Sequence, residues 1–354
     1  MGIAKGIFTV DTHVHAQRHA FKFKAKGEDP AFSKLANGMH ASEVYDNSDR
    51  LLYHMDRYNV DVCVIQPAFG MTNDINLEIL KKYPDRFAAF CYDVNTNLKA
   101  RNGIEKWTLK AALAELEELL STGLFVGIGE TFPKDRAPDR KRLRWEERFE
   151  QICAVMELCR KYKVVAQYHT GFPSGYAGGA LGSRTQGDYE NEQANPLLCH
   201  HVASTYPDVP IIMAHGGIEG SGYYTEYYEK CLNVAASHKN VYLECGQWWA
   251  ELYEKPLKDP NIGAEKLLWG TDWGASCTAQ SWMPGCVPET YCNQDINAGV
   301  PAHQIDIFGW SLRELGRLNL PQDDLNLILG GNAVKLFNIK TPFSRLHKQY
   351  LKSV

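Results

Sequence analysis

Eight short apolar, β-branched runs recur along this chain, separated by longer segments of helical periodicity, and this alternation limits the possible folds more than any other feature. The runs predict strands over residues 7–10, 60–66, 87–92, 124–130, 164–168, 210–214, 241–244 and 266–270. Amphipathic spacing between and after them predicts helices over 48–58, 109–120, 145–161, 196–206, 224–237 and 323–337. Strands that are apolar on both faces, each followed by helical or loop sequence, belong to the α/β class and suit a closed parallel (β/α)8 TIM barrel better than an open sheet. With 354 residues the chain is long enough for one such barrel as a single domain over 1–354, although two smaller domains would also fit.

Three segments exceed the minimal repeat: residues 16–46 after the first strand, 171–195 after the fifth and 273–308 after the eighth. In a parallel barrel all three emerge on the face at the strands' carboxyl ends, where active sites sit, and they read as substrate-covering loops. Ordinary surface insertion or an oligomer contact is the plainer alternative. Lys and Arg total 38 against 42 Asp and Glu, a formal net charge of -4, which gives no electrostatic reason to expect nucleic acid or an anionic membrane as partner. A small-molecule substrate is expected instead. The opening MGIAKGIFTVDTHVH holds no signal-peptide core, no stretch approaches a membrane span, and ten cysteines lie without a repeated CxxC pair. Free thiols in a reducing cytoplasm are the simplest expectation.

The first run leads into Asp11-Thr12-His13-Val14-His15, and period-2 alternation puts His13 and His15 on one side of an extended chain, where both imidazoles can reach one metal ion. Twelve histidines in this length would give an HxH about 0.4 times by chance, so position carries the signal. His169 follows strand five, His215 follows strand six and Asp272 follows strand eight. Each has a bland reading, as a hydrogen-bonded core histidine or a turn-capping acid. Four strands ending in ligand-type residues, on the one rim where those residues can meet, is the arrangement a metal site requires.

This pattern resembles the amidohydrolase superfamily, and within it the amidohydrolase-related branch that includes aminocarboxymuconate-semialdehyde decarboxylase. The phrases YPDVPIIMAHGG, KLLWGTDW and LILGGNAVKLFNI, the last with Asn332, are similar to that branch's approaches to strands six and eight and its closing helix. The resemblance covers nearly the whole chain. It implies that His13, His15, His169 and Asp272 bind metal, that His215 binds a second metal or polarises substrate, and that Asp272 and His215 are the catalytic pair. It also implies assembly as a homo-oligomer, or as a hetero-oligomer with a paralogue. A non-enzymatic alternative makes this chain a catalytically quiet paralogue that supports an active partner, and the presence of all six candidate ligands counts against it.

Strand four ends in Gly127-Ile128-Gly129-Glu130-Thr131, and Glu130 resembles the strand-four carboxylate that bridges two metals in other amidohydrolases. Two divalent ions per chain, zinc or iron and manganese, are therefore expected, with Glu130 as an acid orienting a ligand histidine the alternative. The reaction implied is hydrolysis of a small polar substrate by metal-activated water. Two others share the family: nonoxidative decarboxylation, and oxygen activation at dinuclear iron or manganese sites like those of the α-aminoisobutyrate hydroxylases, which hydroxylate a small carboxylate or amino acid. Tyr168, Trp273 and Cys277, and the run from Cys245 to Trp249, are pocket candidates or equally barrel-rim packing, and Arg18 is a further pocket candidate. Lys22, Lys24 and Arg184 would suit a small carboxylate, although basic loop residues are usually just solvated.

Overall fold

Eight parallel strands lie side by side in chain order, each pairing with the next: β1 (Val10–Val14), β4 (Val62–Ile65), β5 (Phe87–Cys91), β6 (Phe125–Ile128), β7 (Val165–His169), β8 (Ile211–Ala214), β9 (Val241–Glu244) and β10 (Leu267–Leu268). They come from a computed structural model that describes residues 3–4, 6–20, 42–68, 70–129, 145–170, 195–218, 226–274 and 306–340. The two ends of the sheet meet. Thr12 N–H donates to Trp269 O at 2.9 Å, Asp272 N–H to His13 O at 2.9 Å and His15 N–H to Trp273 O at 2.8 Å. These bonds close a (β/α)8 barrel and place Asp272 beside the first strand.

The apolar residues sort into two layers. Val10, Val62, Val64, Phe90, Val165, Ile212 and Leu268 pack inside the barrel with Ala333 and Phe337 of the closing helix, while Leu51, Met55, Ile79, Leu116, Met156 and Val202 fill the space between strands and outer helices. Burying each such side chain contributes about 1.5–3 kcal/mol. Phe90 explains a glycine: a Cβ on Gly127 would lie 2.6 Å from its Cζ. Helix starts follow their capping residues, with Thr72 Oγ1 accepting from Ile75 N–H at 3.4 Å and Thr108 Oγ1 from Ala111 N–H at 3.1 Å.

The structure differs from the sequence expectation at several points. The first strand is Val10–Val14 rather than 7–10, because its backbone pairs Val10 with Val62 and Val14 with Ile65, so His13 lies within the strand and His15 just past its end. Helices Asn73–Lys82 and Val94–Arg101 were not expected. The closing helix expected over 323–337 divides into Gln322–Asn326, a π turn at Leu327–Gly331 and Asn332–Phe337. Gly330 passes so close to Phe8 O that a Cβ would lie 1.9 Å from it, and in the widened turn Ile328 O accepts from Trp269 N–H at 3.1 Å. Within the 16–46 segment an antiparallel ribbon joins β2 (Gln17–His19) to β3 (Val44–Asp46). Residues 171–194 and 275–305 of the other two long segments lie outside the described residues. No helix among the described residues is long and apolar enough to cross a membrane.

His54 gives the fold a measurable pH response. It lies on the buried face of helix Ser48–Tyr58, 1% exposed, 5.7 Å from the Trp273 ring, and its Nε2 has no hydrogen-bond partner among the described residues. Burial pushes its pKa down to about 3, with Arg50 and Arg57 adding repulsion. The folded state holds His54 neutral while the unfolded chain takes up a proton below the ordinary value of 6.5, so stability falls as pH drops from there toward 3. His54→Phe in metal-stripped protein should therefore lose less stability on acidification than the wild type. The difference should grow by at most about 1.4 kcal/mol per pH unit across that window, read from urea unfolding at stepped pH. Parallel curves for the two proteins would show that His54 does not control the acid limb.

Candidate metal centre

The backbone places the candidate ligands before any side chain is considered. β1 delivers His13 and His15 to the carboxyl-end rim, and Asp272 and His215 take left-handed conformations just past their strands, with φ of 55° and 60°. Non-glycine residues adopt that region at a cost, and functional sites are where it concentrates. Asp11 ties the two sides together. Its Oδ1 accepts from His13 N–H at 2.9 Å and Thr271 N–H at 3.1 Å, and its Oδ2 accepts from the Thr271 hydroxyl at 2.6 Å. Burial pushes the Asp11 carboxyl up to about 7, while the bonds from Thr271 and His13 pull the other way.

Hydrogen bonds assign the imidazole tautomers. His15 Nδ1 lies 2.9 Å from Gln66 O, and a carbonyl only accepts, so Nδ1 carries the hydrogen and Nε2 the lone pair. His13 Nδ1 faces both oxygens of Glu244, at 3.0 and 3.1 Å, with the same consequence. The two Nε2 atoms then point toward each other at 3.2 Å. Asp272 Oδ1 completes the cluster, 3.0 Å from His15 Nε2 and 3.5 Å from His13 Nε2, buried and accepting no hydrogen bond among the described residues, while Gln247 Nε2 donates to Oδ2 at 3.2 Å. Three electron-pair donors this close repel one another, and a cation among them removes the repulsion. Imidazole nitrogens with a carboxylate suit zinc, manganese or iron.

Of the residues singled out from sequence, His13, His15 and Asp272 form one group whose ligand atoms all lie within 4.8 Å of one another, and His13, His215 and Glu244 form another. His169 ends β7 half-buried, its ring centroid 4.8 Å from that of His215, and belongs to neither group. Glu130, Lys22, Lys24, Arg184 and Cys277 lie outside the described residues. Tyr168 points away from the rim into the outer core, where its hydroxyl donates to Asn195 O at 3.3 Å and burial raises its pKa. Trp273 is fully buried under Arg18, whose guanidinium carbon sits 4.5 Å from the ring centroid and whose Nη1 donates to His15 O and Gln17 O at 2.6 Å. In the run after strand seven, Trp248 Nε1 donates to His215 O at 3.0 Å.

Sequence reasoning passed over Glu244, Gln167 and Gln66. Glu244 had a signal, since it closes the VYLE strand as His169 closes its own and as His215 directly follows β8. The amides had none.

Comparison with known proteins agrees with this architecture. No curated protein matches the chain in sequence. Among solved structures, a putative 2-pyrone-4,6-dicarboxylic acid hydrolase from Pseudomonas putida superposes with a TM-score of 0.54 at 15% identity, covering 95% of this chain and 99% of its own. A 5-carboxyvanillate decarboxylase from Sphingomonas paucimobilis gives 0.53 at 14% identity, covering 94% and 100%. An amidohydrolase from Burkholderia multivorans with bound zinc gives 0.52 at 10% identity, again covering 94% and 100%. At these identities the likeness is one of fold. A family model described as amidohydrolase matches residues 10–339, from the start of the first strand to the end of the closing helix, and the chain belongs to that family.

Proposed function

We propose that this chain is a metal-dependent hydrolase of a small polar substrate. The observation that carries the reading is the convergence of His13 Nε2, His15 Nε2 and Asp272 Oδ1 within 3.0 to 3.5 Å, with no hydrogen bond to that carboxylate oxygen among the described residues. His13, His15 and Asp272 would hold one divalent ion. His169 and His215, with Glu130 as the bridging carboxylate, would hold a second. When bound, such ions act as Lewis acids that make water a nucleophile near neutral pH. Gln247, by holding Oδ2, keeps Asp272 Oδ1 turned to the centre. From there Asp272 takes the proton that water loses as its oxygen bonds to the carbonyl carbon, then delivers it to the leaving group as the carbonyl–heteroatom bond breaks. With a single ion bound, His215, on its left-handed backbone, would polarise the carbonyl instead of serving as a ligand. The fold-level likeness to a putative 2-pyrone-4,6-dicarboxylic acid hydrolase makes a carboxylated lactone a reasonable first substrate to assay.

The test is metal analysis by plasma mass spectrometry on protein expressed with zinc, iron and manganese all available. Two ions per chain are expected, and Glu130→Ala should retain one while its circular dichroism stays that of the wild type. Equal metal content in both proteins would remove Glu130 from the ligand set. Oxygen uptake or carbon dioxide release, without hydrolysis, would replace the hydrolase reading with the oxygenase or the decarboxylase.

A further inference from the structure

Behind the paired imidazoles lies a layer of buried polar side chains with no motif of its own. Glu244 ends β9 with both oxygens on His13 Nδ1. Its Oε1 also accepts from His215 N–H, and its Oε2 from Gln167 Nε2, each at 3.1 Å. Gln167 in turn accepts from Gln66 Nε2, and the Gln66 backbone carbonyl accepts from His15 Nδ1. One unbroken hydrogen-bonded chain thus runs from His15 through Gln66, Gln167 and Glu244 to His13. All five residues are fully buried.

A fully buried carboxylate costs several kcal/mol unless positive charge or several donors offset it. Among the described residues, the ion-pair partners of Glu244 are two histidines, His13 and His215. A cation on the far side of the His13 ring would supply the missing positive charge through the imidazole. The packing is built around this carboxylate: a Cβ on Gly270 would lie 2.7 and 2.8 Å from Glu244 Cγ and Cδ.

Resting on the metal-centre reading above, we propose that Glu244 is a positioning residue that holds His13 in its Nδ1–H tautomer and strengthens Nε2 as a metal donor, with Gln167 and Gln66 fixing the carboxylate. Its oxygens already receive N–H groups from three residues on three different strands or strand ends, which saturates them and makes Glu244 an orienting group rather than a ligand. The same chain controls both members of the HxH pair, since Gln66 bonds His15 through its backbone and Gln167 through its side chain.

The test titrates metal-stripped wild type, Glu244→Gln, Glu244→Asp and Gln167→Leu with zinc alone against a chromophoric chelator, and records each apoprotein's melting temperature. Glu244→Gln should keep the wild-type zinc stoichiometry while binding zinc about 10- to 100-fold more weakly. Glu244→Asp should recover part of that loss, and Gln167→Leu should weaken binding by a smaller factor. Wild-type affinity in Glu244→Gln overturns the proposal. So does loss of one whole zinc equivalent with the rest unchanged, which would make Glu244 a ligand. If Glu244→Gln does not fold, Gln167→Leu decides, and undiminished affinity there overturns the proposal equally. Absence of zinc binding in the wild type would instead overturn the metal centre, and the role of Glu244 with it.

Discussion

Asp272→Asn is expected to move zinc affinity and apoprotein stability in opposite directions. Asparagine has nearly the shape of aspartate and tolerates the left-handed backbone that residue 272 adopts, so the substitution changes charge and hydrogen-bonding capacity with little change in packing. In the wild type, Oδ1 is a buried acceptor facing two more acceptors, His15 Nε2 at 3.0 Å and His13 Nε2 at 3.5 Å. An amide NH2 in that place donates to the histidine instead of repelling it, and a buried hydrogen bond of that kind contributes about 0.5–1.5 kcal/mol. The same amide removes one anionic ligand from the centre. If a bound zinc ion is worth about 10–16 kcal/mol shared among the three residues that would hold it, losing one lowers affinity by roughly 10²- to 10⁴-fold. Metal-stripped Asp272→Asn should thus melt above metal-stripped wild type, and zinc should raise the wild-type melting temperature far more than that of the variant. Scanning calorimetry with and without zinc reads both effects. Zinc affinity equal to that of the wild type would take Asp272 out of the ligand set, and a lower apo melting temperature would mean that the three acceptors are not in conflict.

What could be read in advance was whatever depends on local periodicity. The barrel follows from apolar runs such as PIIMA before His215 and KLLWG before Asp272, because a parallel strand buried on both faces has to be apolar throughout. Helix Leu109–Ser121 kept its expected start because Thr108 caps a strongly amphipathic stretch. The first strand was misplaced because Asp11, Thr12, His13 and His15 interrupt its apolar run, and three of these, Asp11, His13 and His15, belong to the candidate centre. Helix Val94–Arg101 went unseen because VNTNLKAR carries almost no apolar stripe. The π turn depends on Trp269 reaching Ile328 across the fold, and no window of sequence contains both. The site shows the same division. Histidines and Asp272 announce themselves by residue type at strand ends, but Gln66 and Gln167 are ordinary strand amides until three-dimensional contact links them through Glu244 to the HxH pair.

Gly246→Ala should prevent the barrel from forming in a stable state, although it adds a single methyl group. A Cβ at residue 246 would stand 2.0 Å from Gly270 O, 2.3 Å from Gly270 C and 2.8 Å from Gly270 N, all backbone atoms with no rotamer to move. Neither side can retreat. The chain before Gly246 is held by Cys245 N–H donating to Leu268 O at 2.8 Å, and Gly246 O itself accepts from the Ser311 hydroxyl at 2.5 Å, which in turn accepts from Trp269 Nε1 at 2.8 Å. Behind Gly270 stand Thr12 Oγ1 and the Glu244 side chain. The expected loss is more than about 3 kcal/mol, at the severe end of overpacking. Gly263→Ala is the control, since Gly263, at φ 58° and ψ -170°, holds a backbone conformation nearly exclusive to glycine but has nothing within 4 Å of a Cβ, so strain alone should cost about 1–3 kcal/mol. Urea unfolding should rank the wild type above Gly263→Ala and that variant far above Gly246→Ala. The reverse order of the two variants would mean that β9 and β10 can separate at this level. Their close approach at Gly246 and Gly270 sets Glu244 behind His13 and Asp272 in front of it, so a barrel that tolerated the methyl group could not hold the centre in the geometry described.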